Sequence, residues 1–136
     1  MPIEAKMLVW SLAILLVLIL VQVTTLVLTK GLPVAAGNRD GLSSDKPGFP
    51  GRLDRAIENL KESLFFFIPL VIFAAILGVS NEMTVMGAQL FVGARLVHAF
   101  LYLAGIPWLR TFAFLAGLVG IIMVALGLGL PGALFA

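Results

Sequence analysis

Arg52, Arg55, Asn59 and Glu62 lie at i, i+3, i+7 and i+10 within the segment Gly51 to Leu64. At about 100° per residue, the four positions fall within an arc of roughly 80° on one helical face. Two guanidinium groups, a carboxamide and a carboxylate then point the same way. Guanidinium forks suit carboxylates, a carboxylate suits an ammonium, and an amide suits peptide groups. The set has the chemistry to hold a small zwitterionic ligand with more than one acidic group. The plainer alternative is the solvated opening of a membrane helix, with basic residues anchoring it among headgroups.

Arg95, His98 and Tyr102 form a second group at i, i+3 and i+7, within about 60° of arc. They interrupt an otherwise apolar stretch. An arginine inside a membrane helix costs about 3 kcal/mol on insertion scales unless it is paired or reaches water. Arg95 is therefore expected to face a protein interior or a polar cavity. Its plain role is a structural salt bridge to Glu62, with His98 as a packed histidine; Gln89 lies on another face and is given no function. The chain has one histidine and no cysteine, so a metal centre is not expected and thiolate chemistry must arrive with a ligand. Ser63 and His98 lack the acid and the strand-to-helix elbow of a nucleophile and its base. There is no glycine-rich phosphate loop.

These residues must be positioned by helices in a bilayer. Of the 136 residues, 61% are hydrophobic and only 12% charged, which sets the chain apart from soluble domains. A net charge of +2, with the cations grouped in one segment, gives no nucleic-acid footprint. Four apolar runs, at about residues 7–29, 53–79, 83–105 and 109–130, have the length to span a membrane. The fold class expected is an all-α integral membrane four-helix bundle, one domain over residues 1–136. A cleaved signal peptide competes for the first run, but its head carries an acid beside its base and the run exceeds the usual hydrophobic region.

Gln22, Thr25 and Thr29 share a face of the first span and are expected to hydrogen-bond to a neighbouring helix. Residues 30–52 are rich in glycine, proline and polar side chains and form the one long connection, with turns at Gly37-Asn38 and Pro47-Gly48. Pro69 is expected to kink the second span. Glycines 117, 120, 127 and 129 favour close packing of the fourth. Lys30, Arg39, Lys46 and Arg52 fall between the first two spans, Arg55 and Lys61 on the amphipathic start of the second, which projects from the membrane, and Arg110 at the start of the fourth. Loop 30–52 is therefore expected in the cytoplasm and both termini on the other side.

The pattern Arg52-Leu-Asp-Arg55-Ala-Ile-Glu-Asn59-Leu-Lys-Glu62, then Gly93-Ala-Arg95-Leu-Val-His98-Ala-Phe-Leu-Tyr102, then Gly105-Ile-Pro107-Trp-Leu-Arg110, resembles the MAPEG family, the membrane-associated proteins in eicosanoid and glutathione metabolism. The segment Ala36-Gly-Asn-Arg-Asp40 is similar to the bacterial members. The resemblance implies a homotrimer in a bacterial inner membrane, with glutathione as co-substrate between protomers near the cytoplasmic face and a lipophilic small molecule arriving from the bilayer. It carries Arg52, Arg55, Asn59, Glu62, Arg95 and Tyr102 onto glutathione-binding positions, and Arg110 onto the arginine used near the sulfur. The implied activity is that of a glutathione transferase or peroxidase acting on lipophilic electrophiles or hydroperoxides. Glu58 departs from the further arginine of the eicosanoid-synthesising members. A non-catalytic lipid-binding or scaffold member of the same fold is the alternative. A small four-helix transporter is the other, although residues 7–29 lack the buried acid such a carrier needs.

Overall fold

The structure, a computed structural model, describes residues 1–39 and 46–136. It is helical throughout its ordered elements: α1 (Ile3–Lys30), α2 (Leu32–Ala36), α3 (Gly48–Leu77), α4 (Glu82–Ala104), α5 (Pro107–Gly127) and α6 (Leu130–Phe135). Helices α1, α3, α4 and α5 are each long and apolar enough to cross a membrane, and they run up and down in an antiparallel bundle. The four expected spans are present with shifted ends. α1 begins four residues earlier and takes in Glu4 and Lys6. α3 begins inside the stretch expected to be a loop, and α2 forms in that same stretch. Proline and glycine made both look irregular. Proline is nevertheless tolerated in a first turn, where the backbone N–H has no acceptor inside the helix, and Pro33 and Pro50 both sit in first turns. The part of the connection at 40–45, including Asp40 of the family-like segment, lies outside the described residues.

The core is organised by α3. Leu53, Ile57, Leu60, Leu64, Phe67, Val71 and Ala74 are buried at alternating spacings of four and three. That alternation keeps one seam facing its neighbours along the whole helix. Phe67 stacks on Phe91 of α4 with ring centroids 4.1 Å apart. On the other side of α3, Phe65, Phe66, Phe73 and Ile76 are exposed, an outward apolar face suited to lipid. α3 continues through Pro69 as one helix, with that residue on the exposed side.

Packing of α4 on α5 is the most intimate in the bundle, and small residues make it so. A Cβ added to Gly87 would lie 2.7 Å from the Gly120 carbonyl oxygen, and one added to Gly120 would lie 2.7 Å from that of Gly87. Backbone meets backbone at this crossing, so nothing larger than hydrogen fits at either position. Two left-handed glycines, Gly78 (φ 65°) and Gly105 (φ 77°), end α3 and α4 and allow the chain to reverse.

Candidate functional site at the α3 and α4–α5 end

Relative to the centre of the α3 core seam, Arg52 and Asn59 lie about 100–120° away, while Arg55 and Glu62 lie about 160–180° away. The arc seen in the sequence is therefore divided by the packing. Arg52 and Asn59 are half-buried and reach α4, whereas Arg55 and Glu62 are exposed. The Nε of Arg52 donates to the Leu103 carbonyl at 3.3 Å. It thereby satisfies one of the last-turn acceptors of α4 and places a cation at the negative end of that helix.

Arg95 does not pair with Glu62 as expected. Its Nη1 donates to Oδ1 of Asn59 at 2.7 Å, and among the described residues no carboxylate lies within ion-pair distance. The reason is azimuthal: Asn59 faces α4, and Glu62 faces away from it. Arg95 is only 2% exposed. Its guanidinium lies against two aromatic rings, 5.5 Å from the Phe91 centroid and 5.2 Å from that of Phe114, which offsets part of the cost of burying the charge. The Nε is buried without a partner among the described residues.

Tyr102 and Arg110 come together across the turn between α4 and α5. The Arg110 guanidinium sits 4.3 Å from the centroid of the Tyr102 ring, within cation–π range. His98 is buried, with its ring 5.5 Å from that of Tyr102 and 6.4 Å from that of Phe114. Arg95, His98, Tyr102 and Arg110 thus line one side of the α4–α5 hairpin. The other side is an apolar groove of about 580 Å³ lined by Gly93, Val97, Leu101, Phe112 and Ala116 among others.

Two nearby carboxylates are already engaged. Asp54 pairs with Lys46 at 2.9 Å and accepts from Nε2 of Gln22 at 2.8 Å, so Gln22 does tie α1 to a neighbour. Glu58 pairs with Lys61 at 2.7 Å on the surface. Among the described residues Thr29 bonds within its own helix, to the Thr25 and Leu26 carbonyls. Among the described residues no group of three or more metal-ligating side chains converges.

The opposite end of the bundle holds a polar centre that the sequence did not disclose. Glu4 is only 2% exposed. Its carboxylate accepts from the Ser80 hydroxyl, at 2.9 and 3.2 Å to the two oxygens, and from the Thr84 hydroxyl. Asn81 and Thr84 form a reciprocal cap at the start of α4, and the tertiary fold brings Glu4 beside them.

The family model described as the MAPEG family matches residues 7–130, a stretch that takes in α3, α4, α5 and nearly all of α1, with every residue from Arg52 to Arg110 discussed above. The chain belongs to the MAPEG family. It is accordingly an integral, multi-pass membrane protein of a family associated with glutathione and eicosanoid metabolism. No curated protein and no solved structure matches it.

Proposed function

We propose that this MAPEG protein is a membrane-bound glutathione transferase or peroxidase acting on lipophilic electrophiles or hydroperoxides. The observation that carries the reading is the placement of Arg52 and Arg110 at the α4–α5 turn, with Arg95 deeper on the same side of α4 behind Asn59. Hydrogen bonds and ring contacts engage their guanidinium groups there. Arginines held in place at a membrane end favour an acidic ligand, and glutathione supplies two carboxylates for such groups. Its ammonium suits the carboxylate of Glu62, and its peptide groups suit Asn59 and Tyr102.

Arg55 and Glu62 point away from their own bundle, which favours a site completed by a second protomer, in a homotrimer. The concentration of cations around residues 30–61 favours a cytoplasmic position for that end, with both termini on the far side of a bacterial inner membrane.

In this site Arg110 acts on the sulfur. A guanidinium beside the thiol favours the thiolate, which is the nucleophile. The Tyr102 ring holds Arg110 at the start of α5, so its charge is in place before the thiolate forms and needs no reorganisation. Attack on an electrophilic carbon forms a thioether and expels the leaving group with its electron pair. Attack on a hydroperoxide breaks the O–O bond, giving an alcohol and an oxidised sulfur that a second glutathione converts to disulfide and water.

The test is calorimetry of glutathione binding to the purified protein in detergent, followed by turnover of a chromogenic aryl halide. Saturable binding with turnover supports the enzyme. Binding without turnover of electrophiles or hydroperoxides points to the non-catalytic, lipid-presenting role, and absence of binding overturns the reading altogether.

A further inference from the structure

We infer that Arg95 is a positioning residue that fixes which face of the Asn59 carboxamide meets the ligand, and that Gly117 is the space this requires. The inference rests on the glutathione reading and assigns Arg95 a part within it that does not involve touching the tripeptide.

A guanidinium has five donors and no acceptor, so the atom of Asn59 that faces Nη1 of Arg95 at 2.7 Å must be the carbonyl oxygen. The amide cannot flip without opposing donor to donor. Its Nδ2 group is consequently turned away from Arg95, and it donates to no described residue. Asn59 is only half-buried, so this nitrogen is the part of the amide available to a ligand. The ligand atom beside it must then be an acceptor, either a carboxylate or a peptide carbonyl oxygen.

Arg95 itself is enclosed too completely to meet the ligand. It is 2% exposed within a single protomer, and assembly can only increase its burial. Phe91 and Phe114 flank its guanidinium, and the backbone of α5 closes the remaining side. A Cβ on Gly117 would lie 2.8 Å from both Nε and Nη2 of Arg95. Any side chain there would push the guanidinium out of line with Asn59. The Nε is buried without a partner among the described residues, and an unsatisfied buried donor is destabilising, a cost consistent with a group held for its neighbour's sake.

The experiment measures glutathione affinity and thermal midpoint for the full chain in detergent, in two steps. Asn59→Asp keeps an acceptor for Arg95 and gains an ion pair, but removes the Nδ2 donor. The expected result is a midpoint equal to or above wild type with affinity about tenfold weaker; wild-type affinity in this variant overturns the inference. The second step is a cycle of Arg95→Met, Asn59→Leu and the double variant. If Arg95 acts through Asn59, Arg95→Met weakens binding in the wild-type background, raising KM with kcat unchanged, and adds nothing once Asn59 is Leu. Arg95→Lys, which keeps a donor, recovers part of the loss. Equal and additive losses in both backgrounds mean that Arg95 contacts the ligand directly, and the inference fails while the glutathione reading stands. A wild-type protein that binds no glutathione removes both.

Discussion

The two ends of the bundle solve the problem of buried polar groups in opposite ways. At the end formed by the start of α1 and the α3–α4 turn, an acid is enclosed and its requirements are met within the chain. Glu4 takes hydroxyl donors from Ser80 and Thr84, and Asn81 both caps α4 and donates to the Gly127 carbonyl on α5 at 2.8 Å. One connected set of hydrogen bonds ties α1, α4, α5 and the turn after α3. At the other end, cations are held by weaker and more diverse partners: a helix carbonyl for Arg52, an amide for Arg95 and a ring for Arg110. Arg55 and Glu62 remain exposed. Satisfied polar networks rigidify a structure, whereas partly satisfied ones mark places where something else is to bind.

This contrast predicts that substitutions at one end change chemistry and at the other change stability. The largest effect is expected for Arg110→Ala, which should lower turnover about 100-fold, or ~2.7 kcal/mol in the barrier. Its thermal midpoint should hold. Wild-type turnover in that variant would remove Arg110 from the reaction. Thr84→Val comes next: it strips a donor from the enclosed Glu4 carboxylate and removes the acceptor of the Asn81 backbone N–H, the reciprocal half of the α4 cap, for a loss of about 2 kcal/mol in detergent unfolding. Glutathione affinity of the folded Thr84→Val protein should be unchanged, and a parallel loss of binding would show that the two ends are coupled. Glu62→Gln should weaken glutathione binding about tenfold, ~1.4 kcal/mol by calorimetry, without moving the midpoint. The smallest effect belongs to Lys61→Ala. Its pair with Glu58 is exposed on both sides, so loss of the pair should shift stability by a few tenths of a kcal/mol at most.

Much of the molecule was legible before any coordinates. The four spans follow from runs of apolar residues long enough for a bilayer, and the α4–α5 packing follows from glycines such as Gly120. The grouping of Arg95, His98 and Tyr102 on one side of a helix also followed, because helical periodicity is a local property. Other features were misjudged for identifiable reasons. Pro33 and Pro50 suggested loop where they begin helices. Arg95 was expected to seek the carboxylate of Glu62, because sequence spacing gives positions on one helix and is silent about its rotation against the next. Glu4 counts in the sequence only as an acid at the head of an apolar run, because such a residue looks like an ordinary interfacial charge.

The amino-acid sequence by itself determined a membrane protein with two polar faces in fixed internal register, because hydropathy and the 100° step of a helix need no neighbours. Only the tertiary structure decided how those faces meet. The seam from Leu53 to Ala74 and the Gly87–Gly120 crossing set the rotation and depth of each helix. That setting buries Arg95 behind Asn59, turns Glu62 outward and encloses Glu4. Packing acts across long sequence separations, and a rotation of a few tens of degrees is enough to choose between an amide and a carboxylate as an arginine's partner.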